Sequence, residues 1–485
     1  MIAQVSKALQ IKGNMFGSEG LAPLAFLGLG VYRAWIELAF VGSFVEFPLV
    51  QFNSRNLFDV TMFMTLVACA VFSRRIGPFF NKGIIYGASG VTLTLSTVLM
   101  FATVYQPELS FPLALASSGL GGFGIALMIL IWSELYGCLN PLRVALYYSA
   151  SIVLGALIIY VYHGFMLPWL FVMTSILPGI SLLAAMRGFS LLPVDERPSP
   201  SWSEFSVPWK VILLMAIYAF AYGLTESHLY SGALGPHSAV GTVVIACFVI
   251  LGTLVRGGKF DFGIIYRLAL PLTVGALTLI PAFGFLGTFW SNFCITAGYT
   301  AFSILIMLIL ANICYRYGTS AIWLFGIERG VRGLFMMLGR EVQKGVAAFN
   351  FEGIEGSVIV AFLALFAVVA GTAILFSERE LSSRWGAKFL SGGTDTEKIL
   401  KKQELADRCD ALARKGGLST REQEVLLLLA QRKPVAVIER ELIIANGTVK
   451  AHIRHVYQKL DIHSRDELFA LLGLDADSDE KSASS

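Results

Sequence analysis

Long apolar segments recur through most of the chain and decide what it can fold into. Each is long enough to cross the hydrocarbon core of a bilayer as a helix, which takes about 17–25 residues. The chain is 56% hydrophobic and only 14% charged, whereas soluble proteins are about 25% charged. It therefore lacks the charged surface of a soluble fold. Twelve membrane spans are predicted, at 21–44, 56–73, 83–105, 111–135, 142–163, 165–187, 209–227, 239–255, 263–284, 289–314, 319–339 and 357–376.

Basic residues predict which ends of these spans face the cytoplasm. If both chain termini are cytoplasmic, most loop cations lie on the inner side, as the positive-inside rule requires. The first twenty residues lack the pattern of a signal peptide and are predicted to be a cytoplasmic segment, 1–20. We expect a multi-pass protein among the lipids of a bacterial inner membrane. The inner loops carry Lys7, Lys12, Arg74, Arg75, Lys82, Arg143, Arg187, Arg197, Lys210, Arg256, Lys259 and Arg316, and the outer loops carry Arg55, Arg340 and Lys344.

The membrane region shows signs of an internal repeat. The sequence Gly-Ile-Ile-Tyr opens the third span at Gly83 and the ninth span at Gly263, and a proline-rich connector, Leu191–Trp209, separates the two sets of six. Two parallel six-helix halves are the plan of major facilitator transporters, and residues 21–376 resemble that fold. The loop SRRIGPFFNKG between spans two and three lacks the acidic residue of the transporter signature. This departure argues against transport activity.

The composition changes after residue 376. The segment 377–417 is predicted to be a juxtamembrane linker, with apolar and basic residues for the membrane surface and a charged helix from Thr394 to Lys415. Residues 418–472 are a soluble pattern of four helices. The last residues, 473–485, are acidic and serine-rich and are predicted to be disordered.

Capping signals mark the helices of the 418–472 segment. Ser419 with Glu422 and Ser464 with Glu467 form two capping boxes, which open the first and fourth helices. Pro434 suits the first turn of a second helix, and Thr448–Lys459 is the third. This is a helix-turn-helix pattern with flanking supports. One small core is predicted from Val425, Leu429, Ile438, Leu442, Ile444, Val449, Ile453, Val456, Leu460 and Leu468. The fold class is all-α: a polytopic membrane bundle plus a C-terminal helix-turn-helix domain.

The C-terminal segment resembles the LuxR/FixJ (GerE-type) DNA-binding domain over about fifty residues. The chain is similar to regulators that join twelve membrane helices to such a domain. The resemblance rests on Leu418, Arg421, Glu422, Glu424, Val425, Leu426, Ala430, Thr448, Val449, Lys450, His452, Lys459, Leu460, Arg465, Glu467 and Leu468.

The third helix has the composition of a helix that enters the major groove, because it is basic and carries no acid before Asp461. The resemblance implies that Thr448 and Lys450 contact phosphates or base edges, and that Val449 is partly core and partly a contact to thymine methyl groups. We expect phosphate contacts from Arg454 and Lys459. The remaining candidates are His452, which could instead pack in the core, and Arg432 and Lys433 at the start of the second helix. Pairing as a homodimer on DNA is also expected.

Ionisable residues within membrane spans indicate a ligand site. Arg33 and Glu37 lie one turn apart and can pair, and Glu134 and Glu226 lie near the ends of spans four and seven. The resemblance to transporters places these four residues along a central cavity, where an unknown small molecule would bind. The alternative is that the charges pair with one another or extend to the membrane surface. The aromatic residues Tyr32, Trp35, Trp132 and Tyr222 would either line the cavity or simply pack.

These patterns leave several functions open. A membrane-bound one-component transcriptional regulator, which senses a small molecule and controls DNA binding, is the favoured hypothesis. A transporter with a regulatory DNA-binding tail is the main alternative, followed by a membrane protein whose tail binds another protein. An enzyme is least favoured, because no catalytic set, phosphate loop or metal cluster is evident. No cofactor or metal is expected, and the six scattered cysteines are interpreted as buried hydrophobic residues.

Overall fold

The structure, a computed structural model, is helical and has no β-strand in the parts that it describes. The chain divides into two compact units, Met1–Gly392 and Gly393–Ser485. The predicted N-terminal segment, most of the linker and nearly all of the acidic tail lie outside the described residues. The described residues are 24–41, 45, 47, 51–192, 197–198, 208–229, 235–256, 263–317, 319–348, 356–375, 405, 408–409, 411–431, 435, 438–439 and 446–473.

The first unit is a bundle of long apolar helices that begin and end close to the predicted spans. A 3₁₀ turn, Leu24–Leu27, leads into the first helix, and a π-helical turn, Glu37–Val41, follows it. The longer helices are α1 Gly28–Ile36, α2 Gln51–Val71, α3 Gly83–Tyr105, α4 Ser110–Gly137, α5 Pro141–Tyr162, α6 Leu167–Leu191, α7 Trp209–Leu229, α8 Val240–Arg256, α9 Gly263–Tyr317, α10 Ala321–Ala348 and α11 Gly356–Leu375.

Local sequence signals explain where α5 begins. Asn140 has extended backbone angles, and its side-chain oxygen accepts a hydrogen bond from the amide of Arg143 at 2.8 Å. Pro141 then occupies the first helical position, where a missing amide hydrogen costs nothing. The helix boundary is therefore fixed by a cap that the sequence displays directly.

The helix α9 covers two predicted spans, 263–284 and 289–314, in one helical run. The hydroxyl of Ser291 donates to the carbonyl oxygen of Ala276 at 2.8 Å. Fifteen residues of straight helix would separate these positions by about 22 Å. The run therefore folds back on itself, and its two arms pack side by side as spans nine and ten.

The helix contacts repeat between the two halves of the bundle. In the first half α1 packs on α5 and α6, α2 on α4, and α3 on α4 and α6; in the second half α7 packs on α10 and α11, α8 on α9, and α9 on α11. Between the halves, α2 packs on α10 and α5 on α8. These contacts join span two to span eleven and span five to span eight. Each contact becomes the other when every span is replaced by its counterpart six positions away, as a six-plus-six repeat requires.

Glycines produce the closest helix approaches at equivalent places in the two halves. A Cβ atom on Gly30 of α1 would overlap the carbonyl oxygen of Ser151 in α5. The equivalent pair in the second half does the same, because a Cβ on Gly223 of α7 would overlap the carbonyl oxygen of Met336 in α10. In both pairs the backbones are in direct contact, and any other residue would push the helices apart.

Six helices of the described chain are long and apolar enough to cross a membrane, judged by length and composition: Gly83–Tyr105, Pro107–Gly137, Pro141–Tyr162, Leu167–Leu191, Trp209–Glu226 and Phe289–Tyr315. The membrane character of the unit is therefore confirmed. Twelve crossings stay a prediction, with which the repeated contact pattern agrees.

The second unit is a small helical domain with its own core. Its helices are α12 Thr420–Ala430, α13 Asn446–Leu460 and α14 Arg465–Leu471. The predicted second helix is described only at Val435, Ile438 and Glu439, which are helical. The buried core consists of Cys409, Ala413, Leu418, Val425, Leu426, Leu429, Ala430, Ile438, Val449, Val456, Ile462, Leu468 and Leu472.

The predicted linker helix is part of that core. Residues 405, 408–409 and 411–416 are helical, and Cys409 and Ala413 are buried among the core residues. A guanidinium nitrogen of Arg408 donates to the carbonyl oxygen of Leu472 at 2.7 Å, which joins this helix to the far end of the domain. The folded domain therefore begins before residue 418.

Candidate nucleic-acid interface and membrane charge sites

Glu37 binds a loop and does not pair with Arg33. Both residues are described, and no ion pair joins them. The Glu37 carboxylate accepts hydrogen bonds from the amides of Gly235 (3.1 Å), His237 (2.6 Å) and Ser238 (3.1 Å), and from the Ser238 hydroxyl. These donors lie in the segment just before α8. The predicted Arg33–Glu37 pair is wrong because a row of backbone amides satisfies the carboxylate instead.

Glu134 is held in a similar way at another loop. Its carboxylate accepts from the amides of Phe79 and Phe80, both at 2.9 Å to Oε2. These residues belong to the loop between spans two and three, whose sequence departs from the transporter signature. Glu134 is buried, and its partners fix the loop to the end of α4.

Glu226 belongs to a four-residue charge cluster that ties α2, α7 and α10 together. Its two oxygens accept from Arg55 Nη2 at 2.6 Å and Arg340 Nη1 at 3.0 Å. Asp59 also pairs with both arginines. Two cations and two anions balance in this cluster, and the Glu226 side chain is only 1% exposed. The three predicted ligand carboxylates, those of Glu37, Glu134 and Glu226, are thus all bound within the protein.

Arg33 differs from these carboxylates. Its Nε atom is buried and has no hydrogen-bond partner within the described residues. The two tryptophans predicted as cavity walls have structural contacts: Trp35 Nε1 donates to Thr97 Oγ1 at 2.8 Å, and Trp132 Nε1 donates to Ser181 Oγ at 3.0 Å. Both indoles are fully buried. Tyr32 and Tyr222 are also buried, and Tyr222 packs against Tyr299 with ring centroids 4.5 Å apart.

In the C-terminal domain, the capping box of α12 forms as predicted. The Ser419 side chain caps the helix, and the amide of Ser419 donates to Glu422 Oε2 at 2.7 Å. Ser464 likewise accepts from the amide of Glu467 at 3.1 Å at the start of α14. The sequence signals for these two helix starts are confirmed.

The helix α13 has one buried face and one exposed face. Successive residues turn by about 100° around a helix, so Val449 and Val456 share the buried face and Thr448, Lys450 and Arg454 lie on the exposed one. All three of these exposed residues are at the surface. Neither Lys450 nor Arg454 pairs with an acid within the described part of the domain. His452 lies at the border between the faces and is partly buried.

Val449 and Lys459 depart from their predicted roles. Val449 is 0% exposed, so its side chain is entirely core and has no methyl group to offer a base. Lys459 Nζ donates to Glu422 Oε2 at 2.7 Å and to the carbonyl oxygen of Gly417 at 3.3 Å. In the free domain its ammonium group is thus paired with an acid, although the side chain lies at the surface. Arg432 and Lys433 lie outside the described residues.

The Glu422–Lys459 contact connects α12 with α13, the helix that carries most of the predicted DNA contacts. The hydrogen bond from Lys459, together with the amide of Ser419, lowers the pKa of the Glu422 carboxyl from 4.5 to about 2. His455 Nδ1 lies 3.8 Å from the other oxygen of the same carboxylate. Glu422 therefore caps α12 and at the same time anchors the C-terminal turn of α13.

Residues 417–472 match the family described as "Bacterial regulatory proteins, luxR family" (GerE). The C-terminal domain is a LuxR-type helix-turn-helix domain. A candidate helix-turn-helix transcriptional regulator from Aeromonas salmonicida is 48% identical over 63 residues. This match covers 13% of the chain and spans about a third, 32%, of that protein.

The membrane unit is similar in fold to solved membrane transporters. A bacterial homologue of the iron transporter ferroportin, in an outward-facing state, superposes with a TM-score of 0.53 at 12% identity, covering 78% of this chain and 100% of that one. The major facilitator transporter FucP, in an outward conformation, gives a TM-score of 0.45 at 14% identity over 73% of this chain and 98% of its own. The fold assignment rests on the first of these, and at such identities the likeness shows the fold alone.

Two further residues of the LuxR-type domain lie on the exposed face of α13 and were not among the predicted DNA contacts. His455 and Gln458 are exposed there, about one and two turns after the small, half-buried Ala451. The turn of about 100° per residue could have placed them, because they follow Thr448 and Lys450 at helical spacing. The exposed face thus presents hydrogen-bond donors and cations, and the small side chain of Ala451 leaves room on that side of the helix for a DNA backbone.

Proposed function

We propose that the protein is a membrane-bound one-component transcriptional regulator. The exposed face of α13, which is basic and lacks acids, is the observation that carries the proposal. Within a LuxR-type domain such a helix suits the major groove, where lysine and arginine bind phosphates and guanine edges. The DNA contacts would come from Thr448, Lys450, Arg454 and the border residue His452. The match to a candidate transcriptional regulator supports this function.

The membrane unit is proposed to be the sensor. A small molecule that binds the bundle would change its shape or its self-association, and so favour pairing of two LuxR-type domains on a promoter. The excess of basic residues on one side of the predicted spans supports an inner-membrane protein with both termini in the cytoplasm. That orientation would place the DNA-binding domain next to the chromosome. No catalytic step is part of this function.

Substitution of Lys450 tests DNA reading directly. In Lys450→Ala we expect promoter affinity to fall by about 1–3 kcal/mol, roughly 5- to 150-fold, measured by fluorescence anisotropy at a fixed salt concentration. The matched control is Lys415→Ala, since Lys415 is an exposed lysine on a different helix. Equal promoter binding by the parent and Lys450→Ala, together with unchanged transcript profiles in cells, would refute the proposed DNA contact.

The second candidate is a transporter with a regulatory DNA-binding tail, which the major-facilitator-like fold favours. In that case cells or vesicles carrying the protein would accumulate a labelled ligand, and Lys450→Ala would leave uptake unchanged. The regulator proposal expects no uptake above that of empty vesicles. Transport would be established if the uptake of labelled ligand increased with the amount of protein in the vesicles and were lost in misfolded variants.

A further inference from the structure

The middle of α10 carries a second charge cluster, which is built differently from the balanced cluster around Glu226. Glu328 Oε2 lies 3.3 Å from Arg329 Nε, and Glu328 Oε1 lies 3.4 Å from Arg332 Nε. The Glu328 side chain is 1% exposed and Arg332 is 9% exposed. One carboxylate thus lies between two guanidinium groups inside the bundle.

A third cation faces the same place from α1. Arg33 and Arg329 both lie within electrostatic range of the hydroxyls of Tyr32, Tyr148 and Tyr299. These tyrosines come from α1, α5 and the second arm of α9. Both halves of the bundle therefore contribute to a single cationic centre with tyrosine hydroxyls around it.

Ser303 links this centre to Arg332. Arg332 Nη1 donates to the hydroxyl oxygen of Ser303 at 3.2 Å, and the hydroxyl of Tyr148 lies 3.3 Å from the same oxygen. Ser303 is buried. It lies beside a cation and beside a tyrosine of the centre, which makes it a suitable position for changing the local charge.

The charges at this centre do not balance. Within the described residues it holds three arginines, Arg33, Arg329 and Arg332, and a single acid, Glu328. Guanidinium groups stay protonated in proteins, and an unbalanced buried charge is costly in a membrane unit. Among the described residues, the Nε atoms of Arg33 and Arg329 and both carboxylate oxygens of Glu328 have no hydrogen-bond partner. The cluster around Glu226, with two arginines and two acids, shows that the same bundle balances its charges elsewhere.

We propose that the Arg33–Arg329 centre binds a small organic anion through a carboxylate group. The anion would supply the missing negative charge and accept hydrogen bonds from the guanidinium groups and the tyrosine hydroxyls. Because Arg33 lies in the first half and Arg329 in the second, the bound anion would draw the two halves together. This inference rests on the proposed function, since it names the class of ligand that the sensor takes.

The first experiment measures binding by the full chain in detergent. Acetate, succinate and benzoate are compared with neutral benzamide and cationic choline, at equal ionic strength, by the shift in melting temperature. We expect at least one carboxylate to raise the melting temperature dose-dependently and the neutral and cationic probes not to. Arg33→Gln and Arg329→Gln should weaken that binding at least tenfold, whereas Arg75→Gln, at an exposed arginine of the short helix Ser73–Ile76, should not. Equal shifts for all probes, no shift for any, or unchanged binding in both variants would overturn the proposal.

The second experiment needs no ligand. Ser303→Asp adds a fixed anion beside Arg332, and Ser303→Asn adds nearly the same volume without charge. We expect the aspartate variant to melt at a higher temperature than the asparagine variant and to lose the carboxylate response. An aspartate variant that melts lower than the asparagine variant would mean that the centre lacks no negative charge, and the inference would fail.

Failure of this inference is distinguishable from failure of the proposed function. If carboxylates bind but the protein recognises no promoter, the anion site stands and the regulator function falls. If promoters are bound and Lys450→Ala weakens that binding, while carboxylates do nothing, the regulator function stands and the anion site falls.

Discussion

The membrane bundle and the LuxR-type domain use charged residues in opposite ways. In the bundle, the carboxylates of Glu37, Glu134 and Glu226 are buried and bind backbone amides or arginines from distant helices. In the LuxR-type domain, Lys450 and Arg454 are exposed and unpaired with acids of the described residues. Charges therefore crosslink the bundle internally, whereas those on α13 are available to a partner. Substitutions should mainly lower stability in the first region and binding in the second.

The largest effect is expected from Glu226→Ala. Removing this carboxylate leaves the guanidinium groups of Arg55 and Arg340 with a single acid, Asp59, which should lower the free energy of unfolding by about 3–5 kcal/mol. Thermal unfolding of the detergent-solubilised protein measures the change. The control is Glu341→Ala, because Glu341 is exposed and its pair with Lys344 is worth no more than about 1 kcal/mol. Equal effects of the two substitutions would contradict the internal crosslink.

A smaller loss of stability is expected from Glu134→Ala. The amides of Phe79 and Phe80 lose their acceptor, and a buried donor without a partner costs about 1–3 kcal/mol. Glu134→Gln keeps one acceptor oxygen and should lie between the parent and the alanine variant in melting temperature. If Glu134→Gln is less stable than Glu134→Ala, the negative charge of Glu134 matters more than its hydrogen bonds.

The LuxR-type domain should lose stability in acid through Glu422. The pKa of Glu422 is lowered from 4.5 to about 2 in the folded domain, so the carboxylate stabilises the fold fully above about pH 4.5. This contribution should be lost as the pH falls towards 2. Urea unfolding of residues 393–485, a separate compact unit, measures it. Glu422→Gln should be less stable at pH 7 and should show a weaker dependence on pH in that range; an unchanged pH profile would rule out the Glu422–Lys459 contact.

The smallest change in stability is expected from Arg454→Ala. An exposed side chain without an ionic partner contributes within about 0.5 kcal/mol of zero. The same substitution should lower DNA affinity and reduce the slope of affinity against salt concentration by about one. Parallel urea and DNA titrations measure both quantities. A clear loss of stability without any loss of DNA binding would break the contrast between the two regions.

Features encoded locally could be predicted from the sequence. The capping serines 419 and 464 marked the starts of α12 and α14, since a cap depends on residues only three apart. The apolar runs predicted the long helices, because a membrane span needs only length and hydropathy. The LuxR motif includes Thr448 and Lys450, the predicted helix Thr448–Lys459 also contains Arg454, and the exposure of the three residues agrees with helical spacing.

Long-range partners could not be predicted in the same way. Glu37 binds backbone amides about two hundred positions later in the chain. The local sequence around Glu37 contains no signal that predicts these partners. Lys459 was predicted to bind a phosphate because its helix is basic. In the structure its ammonium group pairs with Glu422, thirty-seven positions earlier in the chain. Glu328, Arg329 and Arg332 are close neighbours on one helix, whereas the imbalance of charge in their cluster became evident only when the structure placed Arg33 near it.

The glycine contacts between α1 and α5, and between α7 and α10, limit how the bundle can rearrange. Helices whose backbones touch cannot slide or rotate against each other without a steric clash, so each pair of helices moves as a rigid body. In the proposed regulator, a ligand-driven change in the bundle would therefore tilt one helix pair against the other. An alanine at Gly30 or Gly223 would force the two helices of its pair apart and prevent the packing seen in this structure.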